Sequence, residues 1–183
     1  MKPLLRFEGV SCRRGGRLLF EGLDLVVGPG DALQVTGPNG SGKSSLLRLA
    51  AGLLRPESGR VETASLALAD DKAALDFELP LSRALRFWGG EVDSALAALG
   101  LQSLTDVPVR LLSAGQARRA SLARVAATGV PLWLLDEPAN ALDSSSLDQL
   151  GDLIACHRDA GGAVIAASHS PLPGKWRTLE LGA

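Results

Sequence analysis

Thiols are scarce in this 183-residue chain: Cys12 and Cys156 are the only two, far apart and with no second thiol beside either. That spacing argues against a disulfide framework and a CxxC metal site, and fits a reducing compartment. Charge of one sign is also missing, since 19 Lys and Arg stand against 20 Asp and Glu for a net charge of −1. Nonspecific nucleic-acid binding as the main task would need a strongly basic chain, so no nucleic-acid partner is expected. No stretch reaches the roughly 18 uncharged apolar residues that span a bilayer. Arg6 and Glu8 fall where a signal peptide would carry its apolar run. A cytoplasmic location is therefore expected, with a peripheral seat on a membrane protein left open because that needs only an apolar patch. Internal repeats and low-complexity linkers are lacking too, and the length suits a single domain over residues 1–183. What is present is ordinary globular material, 46% hydrophobic and 21% charged, enough for a packed core.

Patterning supplies the elements. Residues 4–10 and 18–27 read as strands, the second ending at the turn Gly28-Pro29-Gly30-Asp31. Residues 32–36 form a short apolar strand that runs into a glycine-rich turn. Residues 44–51 then place Leu46, Leu47, Leu49 and Ala50 at helical spacing. Residues 60–69 are strand-like, and short helices are expected at 81–88 and 91–99, split by Gly89-Gly90. Further helices are expected at 115–127 and 144–158, buried strands at 132–135 and 163–167, and a closing strand at 176–181. Buried strands alternating with helices imply an α/β core built on a parallel sheet. The weakly apolar stretch 72–110 reads as an inserted helical subdomain.

The turn Gly37-Pro38-Asn39-Gly40-Ser41-Gly42-Lys43-Ser44 fits G-x-x-x-x-G-K-[ST] at every fixed position, with a strand expected before it and a helix after it. Glycines let the backbone turn tightly and aim successive N–H groups at phosphate oxygens. The following helix adds its positive end. Lys43 supplies a point charge for the β- and γ-phosphates, and the Ser44 hydroxyl is a ligand for Mg2+. Ser45 is counted with these nucleotide-binding residues. The motif alone does not choose among kinases, GTPases and ATPases.

Leu132-Trp133-Leu134-Leu135 is an apolar strand ending in Asp136 and Glu137. A strand buried on both faces delivers its C-terminal residues to the crevice where ligands bind. Asp136 is then placed to hold Mg2+, and Glu137 to polarise an attacking water as a general base. His169 follows the strand 163–167 and is expected near the same crevice, in reach of a γ-phosphate. Ser113 is positioned as the N-cap of the helix that follows, and Gly115 permits close backbone approach. Arg118, Arg119 and Arg124 on that helix read as a solvated basic face. His157 lies in a polar helical stretch and is given no function.

Taken in order, the phosphate loop at 37–44, Leu-Ser-Ala-Gly-Gln at 112–116, Leu-Leu-Asp-Glu-Pro at 134–138, Asn-Ala-Leu-Asp at 140–143 and Ser-His at 168–169 resemble the ATPase subunit of ABC transporters. The finer match is similar to the haem-exporter ATPase of cytochrome c maturation, carried by stretches 34–43, 108–116 and 131–138 and by Ala114 in place of a signature glycine. The resemblance implies a P-loop α/β fold: a mostly parallel core sheet, an N-terminal antiparallel β part and a small helical subdomain. It also implies ATP with Mg2+, integral membrane transporter subunits, a peripheral seat on the cytoplasmic face of the inner membrane, and a head-to-tail dimer. In that dimer Ser113, Ala114, Gly115 and Gln116 would meet the partner's nucleotide, and the loop at Asp143 would cross the interface.

The sequence departs from the family twice. Cys12-Arg13-Arg14-Gly15-Gly16 carries no aromatic where the family stacks one on adenine, leaving an arginine plane to stack instead. Lys72 stands where the family has a glutamine, and the span from Gly59 is short, as if a β-hairpin were deleted. Two other readings stay open. One is a soluble ABC-type ATPase, though its usual coiled-coil insertions or tandem domains are missing. The other is a regulatory nucleotide-binding module with weak hydrolysis, favoured by Lys72 and opposed by Glu137 and His169.

Overall fold

A computed structural model describes residues 2–70 and 74–182. Lys72, expected at the glutamine position, lies outside the described residues. Strands β1 (Leu5–Arg14) and β2 (Arg17–Val27) form a hairpin, and β4 (Ser58–Thr63) pairs antiparallel with the other side of β1. The strand expected to end at residue 10 continues through register shifts to Arg14, because Gly15 and Gly16, both at positive φ, make the tight turn that pairs Arg14 with Arg17. The second sheet contains β5 (Leu66–Ala69), β6 (Leu132–Asp136), β7 (Ala163–Ala167), β3 (Ala32–Thr36) and β8 (Arg177–Glu180), in that order and parallel throughout.

The single stretch expected at 60–69 is two strands in two different sheets. β4 is mostly exposed and edges the antiparallel sheet, whereas β5 alternates half-buried leucine with buried alanine beside β6. The chain changes sheet at Ala64-Ser65, and apolar patterning does not say which partner a short strand takes.

Helices α1 (Lys43–Ala50), α2 (Leu81–Arg86), α3 (Val92–Ala98), α4 (Ala114–Ala127) and α5 (Ser144–Asp159) cover the parallel sheet, giving it two packed faces. Leu33, Val35, Leu132, Leu134 and Ile165 join one core with α1 and the antiparallel sheet. Trp133, Leu135, Val164 and Ala166 join the other with α2 to α5. Period-2 alternation along β6 and β7 therefore divides the residues between two cores, and neither strand exposes a face. The helical insertion is better packed than its composition suggests. Leu81, Leu85, Leu96, Leu99 and Leu101 are buried and continuous with α4.

The basic face of α4 does not exist as expected. Arg124 is 5% exposed, stands 4.7 Å over the Trp88 ring and donates to the Leu68 carbonyl. Arg119 donates to Leu99 O at 3.0 Å. Arg118 donates to the carbonyls of Asp70 (2.8 Å), Pro138 (3.4 Å) and Asp136. Strand and loop ends buried beneath an alanine-rich helix leave carbonyls that need donors, and the guanidiniums supply them.

Candidate active site

The phosphate loop joins β3 to α1. Its N-cap residue Gly42, at φ 108°, gives no side-chain cap, and the first turn of α1 holds no acid. The free N–H groups of that turn are left for an anion. At Gly37 a Cβ would stand 2.2 Å from Leu181 O, so only glycine lets the loop pass against the residue that follows β8. Lys43 is 8% exposed, and its ammonium donates to Gly37 O at 2.8 Å and Pro38 O at 3.2 Å, which closes the loop on itself. Ser41 Oγ is buried without a partner. A cavity of about 360 Å³ opens over Asn39, Gly40, Gly42, Lys43, Ser44 and Ser45, with Arg14 and Leu19 on its wall and Glu137 facing in. Pro38 lies within the same turn and is exposed.

Asp136 ends β6 half-buried. Burial pushes its carboxyl above the usual range, and a hydrogen bond from Ser44 pulls the other way. A hydroxyl and a carboxylate oxygen held together form a donor set that suits a hard divalent cation. Among the described residues no cluster of three or more His, Cys, Asp or Glu is arranged to hold a metal by itself. A cation here would therefore need water or phosphate oxygens to complete its shell.

Glu137 adopts φ 50°, left-handed backbone for a non-glycine residue, and donates its N–H to Ala167 O at 2.8 Å. Next to it, the β7 end carries His169, whose Nδ1–H donates to Glu137 Oε2 at 2.9 Å. The loop holding His169 is braced by Ser168, whose hydroxyl donates to Ser170 O, and by Gln34, whose amide donates to the same oxygen. Glu137 and His169 follow the ends of β6 and β7, and the pair touches, a contact that motif spacing does not contain.

The signature residues sit at the start of α4. Ser113 Oγ accepts from Gln116 N at 3.3 Å, and Gln116 Oε1 accepts from Ser113 N at 2.9 Å, a complete capping box. Gly115 packs so close that a Cβ would stand 2.8 Å from Ala141 O. A second cavity of about 530 Å³ runs from Ser44, Asp136 and Glu137 to Ala114, Ala117 and Arg118. Ser113, Gly115 and Gln116 line neither cavity. Asp143 caps α5, accepting from Ser146 N at 2.8 Å. Hydrogen bonds from Ser146 hold its carboxyl below the usual range.

Two residues escape sequence reading. Arg118 looks like surface charge yet joins α4 to the ends of β5 and β6. Arg48 lines both cavities and stabilises the Asp136 carboxylate. Its position four residues after Ser44 on α1 was the available signal, because that spacing shares a helix face.

The ABC transporter family model matches residues 20–140. The chain is 56% identical over 180 residues to the cytochrome c biogenesis ATP-binding export protein CcmA of Sphingopyxis alaskensis, covering 94% of this chain and 93% of that one. With the protein of the same name from Novosphingobium aromaticivorans it shares 53% identity over 167 residues, covering 89% and 87%. Among solved structures, a dimeric ATP-binding cassette in a post-hydrolysis state with ADP and Pi superposes with a TM-score of 0.79 at 21% identity, covering 91% and 88%. The phosphate loop, the strand-end acids and these similarities converge: the chain belongs to the ABC transporter ATP-binding family, among the cytochrome c biogenesis ATP-binding export proteins.

Proposed function

We propose that the chain binds ATP with Mg2+ and hydrolyses it as the motor subunit of an export complex for haem-linked cytochrome c assembly. It would sit on the cytoplasmic face of the inner membrane, against integral membrane subunits. The observation that carries the hydrolytic part is Glu137, which lines the cavity over the phosphate loop on left-handed backbone and is bonded to His169. Phosphates enter the loop at 37–45, where Lys43, the inward N–H groups and the α1 terminus meet their charge. Lys43 is pre-positioned by the carbonyls it now bonds. Ser44 and Asp136 would hold Mg2+, which when bound neutralises charge on the β- and γ-phosphate oxygens. Glu137 orients a water and takes its proton as the new P–O bond forms and the bond to ADP breaks. His169 anchors one carboxylate oxygen of Glu137 and leaves the other for that water.

The second site element would come from another copy of the chain. Ser113 is exposed, and Ser113, Gly115 and Gln116 line neither cavity of their own chain, which supports a contact with a partner's γ-phosphate. Ala114 and the Asp143 loop would flank that contact. A mixing experiment tests this arrangement. Ser113→Arg should leave ATP binding intact and abolish dimerisation and hydrolysis; Lys43→Ala should lose ATP affinity. In a mixed dimer one composite site carries both lesions and the other carries neither, so activity should return. Ser113→Arg that hydrolyses ATP at the wild-type rate would sink the two-chain site.

A further inference from the structure

The base of the nucleotide must rest on something, and no aromatic ring lines the cavity above the phosphate loop. Resting on the ATP-binding reading above, we infer that the Arg14 guanidinium is the platform on which the purine stacks, a specificity-determining residue for this site. The hairpin β1–β2 stands beside the loop in close contact. A Cβ on Gly42 would lie 3.2 Å from Leu19 Cβ and 3.3 Å from the Phe20 ring. Phe20 is thereby used in packing, partly buried against the core, and does not line the cavity. Leu19 and Arg14 of that hairpin line the same cavity as Gly40 to Ser45, so a nucleotide whose phosphates occupy the loop has both within its site.

Of the two arginines before the turn, Arg13 is committed elsewhere. It donates to Glu57 Oε1 at 2.9 Å and to Gly16 O at 3.1 Å. Arg14 lines the cavity and is exposed. The Gly15-Gly16 turn and the Arg14–Arg17 pairing fix its backbone position at the hairpin end. A planar, weakly hydrated guanidinium stacks on a π-face, and every purine offers one. Stacking reads the face of the base and ignores its edge, so adenine and guanine should be held about equally well.

The test compares ATPγS, GTPγS and inorganic tripolyphosphate by calorimetry. Arg14 is exposed at a hairpin end, so its substitution should leave the fold intact. Arg14→Ala should weaken both nucleotides about tenfold, on the magnitude of base–side-chain stacking, and leave tripolyphosphate unchanged. Arg14→Trp should restore both nucleotides. Equal loss for tripolyphosphate would overturn the platform and make Arg14 a phosphate counter-charge. Loss for GTPγS alone would overturn it in favour of an edge contact. No change with any ligand would remove Arg14 from the site. Lys43→Ala separates the two levels: if it fails to weaken all three ligands, the phosphate site itself is wrong, whatever Arg14 does.

Discussion

Glu137 combines left-handed backbone with the general-base role proposed for it. A left-handed backbone at a non-glycine position costs about 1–3 kcal/mol and persists only where its surroundings over-determine it. Here the surroundings are its N–H bond to Ala167 O and its carboxylate bond to His169. Asp136, the residue before it, also works against its own solvation, since burial disfavours the carboxylate that a cation would need. Such costs are expected where function and not folding selects the conformation. Glu137→Gln keeps the shape and removes the proposed base. Phosphate release should fall about 10²-fold or more, while ATP affinity measured by calorimetry stays near wild type. Turnover at the normal rate would take Glu137 out of its role.

At the scale of elements, the contact between α5 and β6 holds a titratable group that lines neither cavity of the candidate site. His157 stacks on Trp133 with ring centroids 3.7 Å apart, and its Nε2 is buried without a hydrogen-bond partner. Gly162 makes room for the ring, since a Cβ there would stand 2.2 Å from Nε2. Burial pushes the imidazole below its ordinary value, against an opposing pull from the backbone at Pro131 and Ala163. The unfolded chain, titrating near about 6.5, binds the proton first as pH drops. The neutral ring's contribution is therefore complete above that value and lost as pH falls toward the folded pKa. His157→Phe keeps the stack and removes the proton. Between about pH 7 and pH 5.5 the wild type should lose more thermal stability than the variant. Parallel slopes in melting curves would show that His157 does not set the acid limb. Arg118 works at the same scale: α4, β5 and β6 meet through its guanidinium, so the signature helix and the strand-end acids form one unit.

Across the whole molecule, the large exposed apolar side chains Leu18, Val26 and Leu53 are scattered, whereas Phe77, Phe87 and Trp88 lie on the helical insertion and Leu111 just beyond it. Phe77, Phe87, Trp88 and Leu111 are all exposed, Phe87 at 82%. Phe87 and Trp88 meet edge to face and border a small cavity with Leu79 and Ala84. An exposed aromatic pair of this kind is a candidate contact site, and no helix among the described residues is long and apolar enough to cross a membrane. The membrane subunits proposed for the export complex would need a contact surface, and Phe87 is the residue with which to test this one. Phe87→Asp should leave ATP hydrolysis by the isolated protein unchanged. It should reduce the fraction recovered with membranes containing the transporter subunits, read by flotation. Unchanged recovery would direct the search for the seat to another surface.

The sequence alone determined the parts whose physics is local. The phosphate loop is a contiguous turn, the acids end a contiguous apolar strand, and Ser113 caps the helix it precedes, so each was legible from neighbouring residues. Double burial of β6 and β7 was legible as well, because strands covered on both faces are apolar throughout. The tertiary structure decided whatever depends on residues distant in the chain. It split 58–69 between two sheets, a matter of which strand end lay nearby. It drew Arg118 and Arg124 inward, because carbonyls of Asp70, Asp136 and Leu68 needed donors and periodicity does not record unmet carbonyls. It joined His169 to Glu137 across 32 residues of sequence and set Arg14 on the wall of the cavity over the phosphate loop. Side-chain type limits what each group can bond, but only the packing of separate elements determines which partner comes within reach.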